Sequence, residues 1–131
     1  MSLVKKENIV KILIVDDIVV NRYIIKELLK KAGYAVVEAN NGKEAIDLIL
    51  KDEIRLIFMD IEMPVMNGIE TVHYIRTTMN IPKNKIKIFA LSAHNKALIH
   101  EQFDMSEFNG VLTKPLNKDK ILEIANNAFD F

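Results

Sequence analysis

The chain alternates short, wholly apolar runs with longer segments whose apolar residues return at helical spacing. Lys11-Ile12-Leu13-Ile14-Val15 is a β-branched run that stops at Asp16-Asp17. After it Val20, Ile24, Ile25, Leu28 and Leu29 recur at helical spacing, and Ala32-Gly33 supplies the glycine that ends a helix. Ala35 to Ala39 is a second strand segment, followed by the turn residues Asn40-Asn41-Gly42. Ala45, Ile46, Leu48, Ile49 and Leu50 then outline a second amphipathic helix. A third strand is expected over Leu56 to Met59, a loop through Pro64, and a third helix from about Gly68 to Thr78 with Ile69, Val72 and Ile75 on one face. The connector Ile81-Pro82-Lys83-Asn84-Lys85 leads to a fourth strand, Ile86 to Leu91, ending at Ser92. Asn95 to Phe103 is a helix of weaker amphipathicity. Gly110-Val111-Leu112 is a minimal fifth strand, Thr113-Lys114-Pro115 follows it, and Lys118 to about Asn127 makes the last helix.

Strand and helix thus alternate five times over short connections. Parallel strands need crossovers, helices supply them, and strands covered on both faces become apolar throughout. The expected fold is α/β, a three-layer, flavodoxin-like (βα)5 sandwich around a five-stranded parallel sheet, in the doubly wound order 2-1-3-4-5. The 131 residues suit a single domain, 1–131, with a core over about 11–127. The chain has no cysteine, which excludes disulfides and thiolate metal sites. Lys plus Arg equals Asp plus Glu at 18 each, so no global field draws it to nucleic acid or an anionic membrane. No apolar run approaches the ~20 residues of a spanning helix, and no signal-peptide pattern opens the chain. A cytoplasmic domain without membrane contact is expected.

In doubly wound sheets the ligand crevice lies beyond the carboxyl ends of the strands, where the winding reverses. Asp16 and Asp17 follow the first strand, Asp60 the third, Ser92 the fourth and Lys114 the fifth. Each has a plainer role when taken alone: the acid pair as a helix cap, Asp60 and Ser92 as turn residues, Lys114 as a loop lysine. Together they require coincidences at the ends of four strands. With strands one and three adjacent, the three carboxylates converge, and they stay ionised together only beside a cation. Mg²⁺, a hard ion with oxygen ligands, meets that need, as does Mn²⁺ in its place. The ion and Lys114 then form a pocket for a phosphoryl group, with Asp60 as nucleophile and Ser92 as hydroxyl donor.

These residues carry a resemblance. From about Lys11 to Ala125 the chain resembles the receiver domain of two-component response regulators. It does so through Ile14-Val15-Asp16-Asp17, Met59-Asp60 with Met63-Pro64 and Gly68, Ala90-Leu91-Ser92-Ala93, and Leu112-Thr113-Lys114-Pro115. The resemblance implies that Asp60 accepts phosphate from a phosphohistidine on a histidine kinase or histidine phosphotransfer domain. It implies that Asp16, Asp17, Asp60 and the Glu62 backbone carbonyl hold Mg²⁺, that Ser92 is the switch hydroxyl, and that Lys114 contacts the phosphoryl group. The Lys114–Pro115 peptide would be cis. Such a domain catalyses only its own phosphorylation and dephosphorylation and is otherwise no enzyme. Asn21-Arg22 and Asn40-Asn41-Gly42-Lys43-Glu44-Ala45 look most like receivers of hybrid sensor histidine kinases or phosphorelays, so the chain fits a relay protein or a segment of a longer kinase. No basic recognition helix is visible, and no direct nucleic-acid binding is expected.

Four positions stand out against the family pattern. Val111 stands where an aromatic switch residue is usual. Glu62 and His94 occupy two positions that influence acyl-phosphate lifetime. Glu107 replaces a glycine usual near the end of the fourth helix. His94 and His100 are expected on the polar face of that helix, His73 at the surface, and Met59, Met63, Met66 and Met79 in packing roles. Tyr23 lies where phosphotransfer partners dock in the family, although partial burial is its commoner fate. Two other readings remain. An aspartyl-phosphate phosphatase of the haloacid-dehalogenase kind wants an acid two residues after the nucleophile and a hydroxyl two further on; Glu62 meets the first loosely, and Pro64 fails the second. A flavodoxin-like cofactor binder needs a glycine- and hydroxyl-rich phosphate loop where Asp16-Asp17 stands.

Overall fold

A computed structural model describes residues 9–130, the side chain of Lys96 excepted. The first residues of the chain, where the expectation of no signal-peptide pattern in part falls, lie outside that range. The elements run β1 (Val10–Val15), α1 (Val19–Lys31), β2 (Ala35–Ala39), α2 (Gly42–Lys51), β3 (Glu53–Asp60), α3 (Gly68–Thr78), β4 (Lys87–Ser92), α4 (Lys96–Gln102), β5 (Gly110–Thr113) and α5 (Lys118–Ala128). One turn of 3₁₀ helix, Lys83–Lys85, precedes β4. The strands form one sheet in the order β2-β1-β3-β4-β5, and every pairing is parallel. The expected topology is the observed one.

Alternation along the central strands explains the three layers. Ile12 and Ile14 of β1, with Leu56 and Phe58 of β3, pack against Ile25 and Leu29 of α1 and Ile121, Ile124 and Ala125 of α5. Their neighbours Leu13, Val15, Ile57 and Met59 face the other way, onto Ala45 and Ile49 of α2 and Val72 and Ile75 of α3. A smaller cluster of Ile61, Ala90, Ile99 and Met105 seats α4, with Val111 packed against it. Each large side chain fully buried in these layers contributes about 1.5–3 kcal/mol. Met59, Met63 and Met79 belong to the core as expected. No helix among the described residues is long and apolar enough to cross a membrane.

The boundaries differ in one informative place. β3 starts at Glu53 rather than Leu56, because Val10 and Lys11 pair with Glu53 and Ile54 before a register shift carries Ile12 onto Leu56. Glu53 and Arg55 interrupt the apolar run, so periodicity alone missed this end.

Among the described residues, four of the five α-helices begin on an asparagine. Asn41, Asn67, Asn95 and Asn117 each accept a backbone N–H three residues on, from Glu44, Glu70, Leu98 and Lys120. Each such cap stabilises its helix by about 1 kcal/mol. The exception is α1, whose N-cap residue Ile18 makes no side-chain cap bond. The glycine expected to end α1 does so, since Gly33 has φ 98°, which suits a residue without Cβ.

The corner between α4 and β5, where Glu107 replaces the usual glycine, is held by Arg76 of α3. Its guanidinium donates to the carbonyl oxygens of Glu107 (3.0 Å), Asn84 (3.0 Å) and Ile86 (2.7 Å) and to Asn109 Oδ1 (3.1 Å). The Glu107 carboxylate meets exposed His73 at 2.9 Å.

Candidate functional site

The fold brings the five singled-out residues to the carboxyl edge of the sheet. Asp16 and Asp17 continue β1, Asp60 ends β3, Ser92 ends β4 and Lys114 continues β5. One carboxylate oxygen from each of Asp16, Asp17 and Asp60 lies within 4.8 Å of the others. Asp16 is wholly buried, Asp60 is 6 % exposed and Ser92 is buried, whereas Asp17 is exposed.

The acid pair does not cap α1 with side-chain bonds to its first turn. Asp16 Oδ1 instead accepts the N–H of Ile18 at 2.9 Å. Its N–H donates to Ala39 O at 3.2 Å, and its carbonyl accepts from Arg22 at 2.5 Å. Asp16 Oδ2 is left buried with no hydrogen-bond partner, 3.6 Å from Lys114 Nζ. A buried carboxylate oxygen with no hydrogen bond and only one long ion pair is costly, and a further cation would offset that cost. Three converging carboxylates suit a hard divalent ion, so the residues present fit Mg²⁺.

Asp60 Oδ1 accepts the Glu62 N–H at 3.0 Å, and Ser92 Oγ accepts the His94 N–H at 3.0 Å. The turn roles considered for both residues are therefore real and coexist with their place in the cluster. Burial pushes the Asp60 carboxyl from its ordinary 3.8 up to about 6; the Glu62 N–H bond opposes this, the charge of Asp16 adds to it, Lys114 opposes and Asp17 adds. Lys114 N–H donates to Ser92 O at 2.8 Å, tying the loop after β5 to β4, and the Lys114–Pro115 peptide is cis as expected. Ile81–Pro82 is cis as well.

Gly68 presses the start of α3 onto Asp60. A Cβ there would lie 2.5 Å from Asp60 O and 2.7 Å from Ile61 Cα. Between them the loop passes Pro64, whose carbonyl accepts the Met66 N–H at 2.8 Å. Val65 in that loop is 80 % exposed and has φ 71°.

His94 is not on the polar face of α4. It lies in the loop before the helix, and its Nε2 meets Glu62 Oε1 at 2.9 Å, joining the loop after β4 to the loop after β3. Asn95 caps the helix by accepting the Leu98 N–H, which leaves His94 outside it. His100 is exposed on α4. Tyr23 is half exposed, among Ile18, Val19, Val20 and Ile24, all more than half exposed beside the acid pair. The residue whose structural part the sequence did not reveal is Arg22. It stands six positions after Asp16, in the first turn or so of α1, and its neighbour Glu38 in β2 gave no periodic signal.

A groove of about 370 Å³, lined by Val10, Ile54, Arg55, Lys83, Lys85 and Lys87 among others, lies at the amino ends of the strands, away from the acids. The acid cluster itself is an open edge, suited to a small ion and a group delivered from outside.

Residues 12–126 match the family model of the response regulator receiver domain, and the chain belongs to that family. It is 32 % identical over 121 residues to hybrid signal transduction histidine kinase I of Dictyostelium discoideum, covering 88 % of this chain and 7 % of that protein. It is 32 % identical over 119 residues to the chemotaxis protein CheY of Thermotoga maritima, covering 90 % and 96 %. The receiver domain of a sensor histidine kinase from Pseudomonas aeruginosa PAO1, solved with a magnesium ion coordinated in its active site cleft, superposes with a TM-score of 0.80 at 26 % identity, covering 89 % and 94 %. The chain spans between 7 % and 46 % of several curated relatives, hybrid kinases and a transcriptional regulator among them.

The chain is thus a receiver domain of the two-component type, and the phosphatase and flavin readings give way to it.

Proposed function

We propose that Asp60 is the phosphoacceptor of this receiver and takes its phosphoryl group from a phosphohistidine on a partner. An Asp60 carboxylate oxygen attacks phosphorus in line, the P–N bond breaks, and the imidazole leaves with its electron pair and gains a proton. The product is an acyl phosphate on Asp60. Asp16, Asp17, Asp60 and the Glu62 carbonyl hold Mg²⁺ or Mn²⁺, which when bound offsets the negative charge of the acids and the phosphoryl oxygens. Lys114 presents a mobile ammonium to the same oxygens, and the Ser92 hydroxyl turns from its local bond with His94 N–H to donate to one of them.

One observation carries this reading: a buried carboxylate oxygen on Asp16 takes no hydrogen bond and has the Lys114 ammonium 3.6 Å away, in a cluster with Asp17 and Asp60. The exposed apolar strip of α1, from Ile18 to Ile24, borders the acids and offers a partner helix a face to cover while its histidine reaches Asp60. Glu62, His94 and Val111 modulate the phosphate's lifetime and readout. The domain is the one unit spanning 1–131, catalyses only its own phosphorylation and dephosphorylation, and works in the cytoplasm, alone or as a segment of a hybrid kinase. It contacts neither nucleic acid nor membrane directly.

Incubation with Mg²⁺ and a small acyl- or amidophosphate donor should add one phosphate that mild base removes. Asp60→Asn should gain none. No gain by the wild type, or the same gain at the same peptide in Asp60→Asn, would sink the reading.

A further inference from the structure

We propose that Arg22 is a positioning residue for the divalent cation: held by Glu38, it fixes the backbone of Asp16 so that Asp16 Oδ2 points into the acid cluster. The inference rests on the proposed cation site, to which it adds a support outside the ligand set.

The polar atoms of Asp16 can be accounted for one by one. Its N–H is taken by Ala39 O, its Oδ1 by Ile18 N–H and its carbonyl by Arg22, which leaves Oδ2 alone without a hydrogen bond. Three fixed atoms determine where the fourth points. Of the three partners, two are backbone groups that sequence cannot vary, and the third is the side chain of Arg22.

Arg22 is itself over-determined. It is 8 % exposed, and its Nε donates to Glu38 Oε1 at 3.1 Å while an Nη donates to Asp16 O at 2.5 Å. Glu38 in turn meets Lys26 Nζ at 3.1 Å, one helical turn from Arg22 on α1. A guanidinium suits this place because its rigid planar fork reaches two acceptors at a set angle; an ammonium is a point charge on a flexible stem. The chain Lys26–Glu38–Arg22–Asp16 therefore runs from helix to strand to the ligand. A guanidinium bonded to the Asp16 carbonyl and to Glu38, with no hydrogen bond to the carboxylates of the acid cluster, leaves those carboxylates to the ion.

Two competing roles make opposite predictions. If Arg22 acted on the ion through its charge alone, removing it would tighten cation binding, because like charges repel. If it only stabilised the fold, its loss would lower the melting temperature and leave affinity alone. A positioning role makes affinity fall even when the charge is kept. Partners that orient metal ligands are typically worth 10–100-fold in affinity.

The test titrates the whole chain with Mn²⁺, followed by water-proton relaxation, and with Mg²⁺ by calorimetry, with thermal melts in parallel. Wild type, Arg22→Lys, Arg22→Gln and Glu38→Ala are compared below their melting temperatures. The expected result is weaker binding by about 10–100-fold in Arg22→Lys and Arg22→Gln, and a loss of about tenfold in Glu38→Ala, which keeps Arg22 but frees it. Unchanged affinity in Arg22→Lys, or tighter binding in Arg22→Gln, overturns the proposal. Should the Arg22 variants fail to fold, Glu38→Ala decides by the same criterion. A wild type that binds neither ion removes the cation site itself; a wild type that binds while the variants match it removes only the part assigned to Arg22.

Discussion

Asp60 is buried beside a second, wholly buried acid, and that has a price in stability which can be measured. Its folded-state pKa of about 6 exceeds the ordinary 3.8, so the folded chain holds this proton more tightly than the unfolded chain does. The contribution is fully present below about pH 4, where both states are protonated, and is lost as pH rises through about 6. Without metal, Asp60→Asn is therefore expected to be more stable than wild type at pH 7.5 by about 1–2 kcal/mol, less than the full shift implies because some water reaches the carboxylate. Denaturant melts at pH 4.5 and 7.5 check this: the difference should shrink to about a third at the lower pH and narrow when Mg²⁺ is added at the higher. A wild type equally stable at both pH values would contradict it. The Glu62–His94 contact is half exposed on both sides, so as an ion pair it is worth at most about 1 kcal/mol. It nevertheless links the loops on either side of the phosphoryl site. His94→Ala is expected to shorten the half-life of phosphorylated Asp60 by roughly two- to fivefold, the kinetic equivalent of about 0.4–1 kcal/mol. The decay of the labelled protein measures it directly, and an unchanged or longer half-life would refute it.

Among the elements, α3 is the one whose placement the acceptor depends on most. Its capping box, with Asn67 Oδ1 accepting Glu70 N–H and Glu70 Oε1 accepting Asn67 N–H, fixes where the helix starts, and Gly68 lets that start rest on the backbone of Asp60. Gly68→Ala would drive a methyl into backbone atoms that cannot swing aside. A loss of about 1–3 kcal/mol is expected, with slower phosphorylation of whatever remains folded. A thermal melt and a labelling time course test both; an alanine variant that melts and labels like wild type would show that the helix shifts at no cost. The elements themselves were legible because the strands are short apolar runs and the helices carry periodic faces, and Gly68 to Thr78 was read to the residue. The amino end of β3 was not, because Glu53 and Arg55 pair in the ladder without looking apolar. The three carboxylates and Lys114 were legible from their places at strand ends. What escaped were contacts between distant residues chosen by geometry: Glu62 with His94 across two loops, and Arg22 with Glu38 and the Asp16 carbonyl across α1 and β2. Such pairs have no period, and a single sequence records only that the residues are polar.

At the scale of the molecule, equal numbers of acidic and basic side chains conceal an uneven arrangement. Asp16, Asp17, Asp60 and Glu62 gather at the carboxyl edge of the sheet, while Arg55, Lys83, Lys85 and Lys87 line the groove at the amino edge. Glu53 in that groove and Lys114 beside the acids temper the contrast, but acidic side chains predominate at one end of the strands and basic ones at the other. A partner carrying positive charge around its histidine would feel a torque before contact and arrive with the acids already turned toward it. Only the charge at the near edge matters within a Debye length of about 8 Å, so in physiological salt this orientation operates during the last stage of approach. Binding the ion would weaken the near pole and phosphate would restore part of it. The same edge would then hold its donor most strongly before the cation arrives, and its pull on any later partner would change with each step.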